Sequence, residues 1–238
     1  MTVRQRVRFR FSKEGDLRLI SHRDLLRTWE RLLRRAALCL SMTEGFHPKP
    51  RMSFPAALAL GVAGIDEVVE VEFARPYTVD ELRAATAVHL PPGMTLHAID
   101  VLPPGAAKAQ VRSITLEIPV PAPRREAVLR RIEALLAAES YAIERPGRPE
   151  PIDLRPSLER LELADGVLRA RLRVSRQADP RPRELLAALD LADLEEQGLY
   201  LTRTAVEIDP PRGETPCASP VAQLAAQVVV DADTKEDL

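Results

Sequence analysis

The chain has 238 residues, 45 % apolar but only 4 % aromatic, enough for one large domain or two of roughly 100 residues around a core of Leu, Val and Ala. No apolar run approaches the roughly 18 residues of a membrane span, and no apolar h-region marks a signal peptide, so a cytoplasmic protein with no membrane partner is expected. The net charge of −1 hides a segregation: residues 1–51 hold 13 Lys and Arg against 5 Asp and Glu, a net of +8, and the rest of the chain is −9. Such asymmetry points to an anionic partner for the first segment, unless acidic strands from later in the chain neutralise it.

Residues 3–11 alternate strictly. Val3, Val7, Phe9 and Phe11 face one way and Arg4, Arg6, Arg8 and Arg10 the other, the period of a half-buried strand. Lys13–Asp16 reads as a turn. Ser21 then opens a helix of about 16 residues, with Asp24 three positions on as a near capping box. Leu25, Leu26, Trp29, Leu32, Leu33 and Ala36 share one helical face, and Arg23, Arg27, Arg31 and Arg34 share the opposite one. Leu38–Ser41 reads as a short strand. Residues 45–55 hold three prolines and a glycine, the composition of an ordered loop.

Ala57–Leu60 and Glu67–Phe73 read as strands, 79–89 as a helix capped by Thr78 and Glu81, and Met94–Val101 as a strand. The order then repeats. Val111–Val120 is a strand, and Arg124–Ala138 a helix with Val128, Leu129, Ile132, Leu135 and Leu136 inward. After an extended Tyr141–Glu144, Leu158–Leu163 and Val167–Val174 flank the hairpin signal Asp165-Gly166. Pro182–Leu191 is a short helix and Leu199–Ile208 a last strand. Two β-α-β-β-α-β units predict an α+β protein of two tandem ferredoxin-like domains, 1–104 and 105–209. Pro, Ala, Ser, Gln and Asp without period predict a disordered tail at 210–238.

Three features carry possible chemistry. The strand arginines suit phosphate binding on an open sheet face, unless Glu70 and Glu72 on a neighbouring strand pair with them. The helix arginines form a second cationic stripe; such a stripe is either simply solvated or a contact for phosphate or an acidic protein. His22 at the helix start, where free N–H groups attract anions, and His47, Lys49 and Arg51 around the proline-rich loop form the third. If there is catalysis, His22 is the candidate acid–base and Lys49 the group that stabilises phosphate charge. No His/Cys spacing fits a metal site, and no P-loop, dinucleotide fingerprint or GxSxG occurs, so no metal or cofactor is expected. Cys39 and Cys217 are the only cysteines. Two are too few for an iron–sulfur cluster, and their placement argues against a disulfide.

The run 11–36, with Gly15, Asp16, Leu17, Arg18, Ile20, Ser21, His22 and Asp24, and the run 44–62, with Gly45, Phe46, Pro48, Pro50, Ser53 and Phe54, together resemble a bacterial domain-of-unknown-function family, the radical-SAM-associated (radical-SAM-linked) family. Its pattern is roughly GDLRFISH-x-D followed by a GFNP-x-P-K/R-x-SF loop. His47 stands where the family usually has Asn. The resemblance is close over about the first 75 residues and loose beyond, as in IDLRP at 152–156. It implies a partner, a radical-SAM enzyme encoded nearby, and an accessory role rather than an activity. With Arg18 joining the cations near the motif, three readings follow. The first is a non-catalytic module binding RNA and the enzyme, and the second a protein-only adaptor. The third is a metal-independent endoribonuclease, since the tandem order also resembles that of CRISPR repeat-processing enzymes.

Overall fold

The computed structural model describes residues 4–147, 149–175 and 180–209; Val3 and the tail at 210–238 lie outside them. The alternating first segment is β1 (Gln5–Lys13). Its Val7, Phe9 and Phe11 are fully buried, and Arg6, Arg8 and Arg10 are half-buried on the other face. The first helix is α1 (His22–Arg35). Ser21 caps it: the Asp24 N–H donates to the Ser21 hydroxyl oxygen at 3.2 Å, and that hydroxyl donates to the Asp24 carboxylate at 2.7 Å. Leu25, Trp29, Leu32 and Leu33 form its buried face. Trp29 meets Phe9 and Phe11 with ring centroids 5.4 and 5.0 Å apart, the tilted contacts aromatic rings prefer.

Next come β2 (Met52–Ser53), β3 (Ala63–Phe73), α2 (Val79–Ala87) and β4 (Leu96–Val101). The capping box at the start of α2 is complete, with the Thr78 N–H donating to Glu81 at 2.7 Å and the Glu81 N–H to the Thr78 hydroxyl at 3.2 Å. The second half comprises β5 (Val111–Pro119), α3 (Arg125–Ala137), β6 (Ala142–Ile143), β7 (Ile152–Asp153), β8 (Leu158–Ala164), β9 (Val167–Arg173), α4 (Pro182–Ala188) and β10 (Thr202–Ile208). Asp165 and Gly166 both take positive φ, +53° and +77°, as a tight hairpin between β8 and β9 requires.

Several local expectations give way to tertiary structure. Ala57–Leu60 is not a strand. The carbonyls of Ala56 and Ala57 accept from the Arg203 guanidinium at 3.1 Å each, and the edge of β3 is already occupied by β2 and β10. The short strand lies instead at Met52–Ser53, inside the segment read as loop, and Leu38–Ser41 contributes only an isolated bridge from Leu40 to Phe73. Leu129 and Leu136 of α3 are exposed while Val128, Ile132 and Leu135 are buried: one residue past a buried position rotates 100° around the helix.

The strands form one mixed sheet in the order β4-β1-β3-β10-β5-β9-β8, with β2 also on β3; β6 and β7 form a separate pair. The halves join through a parallel pairing, Thr202 with Ala63 and Arg203 with Gly64. The buried apolar residues form two cores. Val69, Val71 and Phe73 of β3 pack in the first with α1, whereas Val68 packs in the second with Ile114 and Val206. Successive strand residues face opposite ways, so β3 carries a core on each side and is buried along nearly its whole length. At the joint, Glu67 and Arg203 form a buried bidentate ion pair, with Arg203 Nε donating to Glu67 Oε1 at 2.7 Å. Lys13, buried near this pair, donates to the carbonyls of Arg18 and Ile20 at 3.3 and 3.0 Å. Burial pushes its pKa below the ordinary 10.5, while Glu67 works the other way.

Candidate anion-binding surface

The register of β1 and β3 sets Arg6 opposite Glu72 and Arg8 opposite Glu70. Arg8 donates to Glu70 at 2.9 Å, and Arg10 reaches Asp66 at 2.6 Å. Both acids are buried. Removing either arginine strands a buried charge, so Arg8 and Arg10 are held by structure and are not open phosphate ligands. Arg4 lies 3.7 Å from the exposed Glu44. The acidic strand thus absorbs the second half of the arginine ladder and leaves its first half, Arg4 and Arg6, more loosely held.

That part lies beside a tongue. Residues 41–43 and 49–51 run antiparallel, with the Thr43 N–H donating to the Lys49 carbonyl and the Arg51 N–H to the Ser41 carbonyl, both at 2.8 Å. The base of the tongue is tied to Glu72: the Ser41 N–H donates to the Glu72 carbonyl at 2.8 Å, and the Glu72 N–H to the Arg51 carbonyl at 2.9 Å. The tip, Glu44–Pro48, is exposed, and Phe46 at its end is fully so. Gly45 takes φ +124°, a conformation that only glycine adopts without strain, while Pro48 and Pro50 stiffen the return limb.

Between the tongue and the connection after β4 lies a groove of about 430 Å³, with Arg4, Arg6, Arg51 and Glu72 on one side and Pro103–Ala106 on the other. A smaller hollow of about 240 Å³ shares Arg6, Arg51 and Glu72 and adds Thr43, Ser53 and Lys108. The connection is fastened over β1: the Leu102 N–H donates to the Arg6 carbonyl at 2.9 Å, and the Arg6 guanidinium to the Ala106 carbonyl at 2.8 Å. Sequence reasoning missed Lys108, which lies 57 positions from Arg51 with no local pattern to announce it.

A second cationic surface is the outer face of α1. Arg23, Arg27, Arg31, Arg34 and Arg35 are all exposed, against two acids on the same helix. Arg27 pairs with Asp24 at 3.3 Å and Arg34 with Glu30 at 2.9 Å, exposed contacts of small energy; Arg31 donates to Thr28 at 3.3 Å. Arg18 is turned elsewhere, donating to the Gly15 carbonyl at 3.0 Å with its guanidinium over the Tyr200 ring at 4.6 Å.

The motif residues divide by role. Gly15, at φ +55°, and Asp16 form the turn into a short 3-10 segment at Gly15–Leu19, and Ser21 and Asp24 are the cap of α1. Phe54 packs edge-on against Phe11 and against His22, so the two motifs meet in the first core. Ser53 lies in β2. The His22 Nδ1 is buried without a hydrogen-bond partner among the described residues. His47 and Lys49 stand exposed on the tongue, and no hydrogen bond or ion pair joins either to His22 among the described residues. No cluster of three or more metal-ligating side chains occurs among the described residues, and no helix among them is long and apolar enough to cross a membrane.

Fold and surface together define an α+β protein with a large mixed sheet, four α-helices among the described residues, and cationic surfaces on its first half. The model of a family described as "Uncharacterized protein conserved in bacteria (DUF2344)" matches residues 6–183, and the chain belongs to that family. Among solved structures, it is similar to an unknown protein from Galdieria sulphuraria at 13 % identity, covering 87 % of this chain and 100 % of that one, with a TM-score of 0.28. It is also similar to the acetolactate synthase small subunit from Thermotoga maritima at 10 % identity, covering 90 % and 99 %, with a TM-score of 0.26. Both likenesses are too distant to carry a fold or a function across. No curated protein matches.

Proposed function

We propose that the chain is a non-catalytic accessory module of a radical-SAM enzyme that binds RNA through its basic first half, and that it consists of two tandem ferredoxin-like units meeting near residue 104. The strand order supports the tandem reading: β4-β1-β3 with β2 beyond, then β10-β5-β9-β8, is the same fourth-first-third-second arrangement twice. The radical-SAM partnership rests on the resemblance of the 11–36 and 44–62 motifs. The RNA reading is carried by one observation, the outer face of α1, where five exposed arginines face two acids on a rigid helix. Regularly spaced cations on a helix track a phosphate backbone, and each contact adds a salt-dependent increment of affinity.

The test is binding of labelled RNA across a salt series in EDTA. Replacing Arg23, Arg27 and Arg31 together by Ala removes up to three phosphate contacts. It should weaken binding and reduce the salt slope by about 2 for single-stranded RNA; unchanged binding and slope would overturn the reading. RNA recovered intact from the same mixtures agrees with a non-catalytic role, and cleavage that disappears in His22→Ala would replace it with an endoribonuclease.

A second reading, a protein-only adaptor, is favoured by Phe46. A fully exposed phenylalanine on a stiffened tongue matches the aromatic anchors that dominate protein interfaces. Nuclease-resistant capture of the neighbouring radical-SAM enzyme, lost in Phe46→Ala, together with no RNA binding at low salt, would establish it over the first.

A further inference from the structure

We infer that the groove between the tongue and the 102–109 connection is a binding site for a nucleoside monophosphate, taken either free or as the 5′ end of an RNA. The site is distinct from the α1 arginine face, and the inference rests on the RNA reading only for the second of these sources.

The argument starts from how unevenly the arginines of this sheet face are held. Arg8 and Arg10 make short ion pairs to buried acids at 2.9 and 2.6 Å. Arg6 and Arg51 instead share one carboxylate, Glu72, at 3.4 and 4.0 Å. Glu72 takes neither at short range, and Arg4 lines the same groove. Lys108 closes the adjoining hollow. Glu70 is already engaged by Arg8, so these four cations stand against two acids, Glu72 and the exposed Glu44 that lies 3.7 Å from Arg4. The surplus of two positive charges matches the charge of about −1.5 to −2 on a phosphate monoester at neutral pH. Guanidinium groups suit phosphate oxygens because their forked N–H donors bind two at once.

The rest of the groove selects for more than phosphate. Pro76, Val101, Pro103 and Pro104 line it with apolar surface, suited to a base or ribose but without use for a free inorganic ion. Thr43 and Ser53 add hydroxyls in the adjoining hollow. The volume of about 430 Å³ falls within the range of roughly 300–1,000 Å³ for small-molecule sites. The parts come from three distant segments and are fixed independently of any ligand: the tongue by its bonds to Glu72, the connection by its bonds to Arg6 and β1.

The test is calorimetric titration of the full chain with AMP, GMP, CMP and UMP, each compared with its nucleoside and with inorganic phosphate. At least one monophosphate should bind with one-to-one stoichiometry, about 10-fold or more tighter than its nucleoside, the factor expected of a charge-assisted phosphate contact. Lys108→Ala, a change on an exposed connection that leaves the fold intact, should weaken it several-fold, and Arg51→Ala should weaken it at least about 10-fold. No binding by any of the four, binding equalled by inorganic phosphate, or affinity unchanged in both variants would overturn the site.

Two further arms separate the sources and the readings. A 5′-phosphorylated RNA that outbinds its 5′-hydroxyl counterpart, with the preference lost in Lys108→Ala, assigns the RNA end as the ligand; equal binding of the two assigns the free nucleotide. The variant lacking Arg23, Arg27 and Arg31 should keep its nucleotide affinity. Failure of nucleotide binding with RNA binding intact overturns the groove alone, and the converse overturns the RNA reading alone.

Discussion

The imidazole of His22 stands edge-on to the ring of Phe54, with centroids 5.3 Å apart and planes at 79°. One residue begins α1 and the other follows β2, so this contact fastens the start of the helix to the root of the tongue. Phe54 continues to Phe11 at 6.2 Å, and Phe11 to Trp29 at 5.0 Å, so the two histidine- and proline-bearing motifs are joined through an aromatic cluster in the first core.

That cluster predicts a stability coupling. Phe54→Ala should destabilise the protein by about 2–4 kcal/mol, as the loss of a packed aromatic does, and His22→Ala by about 1 kcal/mol. In a double-mutant cycle by urea unfolding, the pair should couple by about 0.5–1.5 kcal/mol. Strict additivity would mean that the edge contact contributes nothing.

The opposite is predicted for the other aromatic of the same motif. Phe46 is fully exposed at the tongue tip, so Phe46→Ser should change stability by no more than about 0.5 kcal/mol. A large drop in the thermal midpoint would show that the tip packs against something in the folded chain.

The buried pair Glu67–Arg203 holds the two halves together. Glu67→Gln leaves the Arg203 guanidinium buried without its counter-charge, at a cost of about 3–5 kcal/mol. Replacing both by Met should cost much less, because both desolvation penalties vanish together. Equal losses in the single and double variants, measured by chemical denaturation, would show that the lost packing dominates rather than the stranded charge.

Gly64 lies against the same pair. A Cβ there would stand 2.5 Å from Glu67 Cγ, and Glu67 cannot swing aside without releasing Arg203. Gly64→Ala should therefore destabilise by about 1–3 kcal/mol, the usual range for overpacking. In the Glu67→Ala background, which clears the space, the added methyl should cost far less.

Lys13 gives a pH dependence. Its folded pKa lies below 10.5 because burial disfavours the ammonium. Between the folded value and 10.5 the unfolded chain binds more protons, so this group's contribution to stability rises with pH across that window. Below the window the penalty for the buried charge is fully present. In urea unfolding at a series of alkaline pH values, wild type should gain on Lys13→Met as pH rises. The lost bonds to Arg18 and Ile20 offset the variant by a constant and do not affect the slope. Parallel curves would contradict the shift.

Much of the local structure was legible in the residues themselves. Alternation in Gln5–Phe11 sends Phe9 and Phe11 inward; Ser21 with Asp24, and Thr78 with Glu81, mark helix starts; Asp165-Gly166 marks a hairpin. These signals act between residues a few positions apart, where backbone geometry alone settles which groups can meet. What each charged group does was settled only in three dimensions. Register decides that Arg8 and Arg10 serve buried acids while Arg6 and Arg51 share Glu72. The parallel joining of β3 to β10 turns Glu67 into the partner of Arg203, 136 positions away, and denies Ala57–Leu60 a strand partner. The path of the 102–109 connection brings Lys108 beside the tongue. Sequence by itself determined which segments form strands and helices and which faces are apolar, because those depend on periodicity. Tertiary structure decided which charges pair closely with one another and which are loosely held, because ion pairing depends on long-range neighbours that no local pattern encodes.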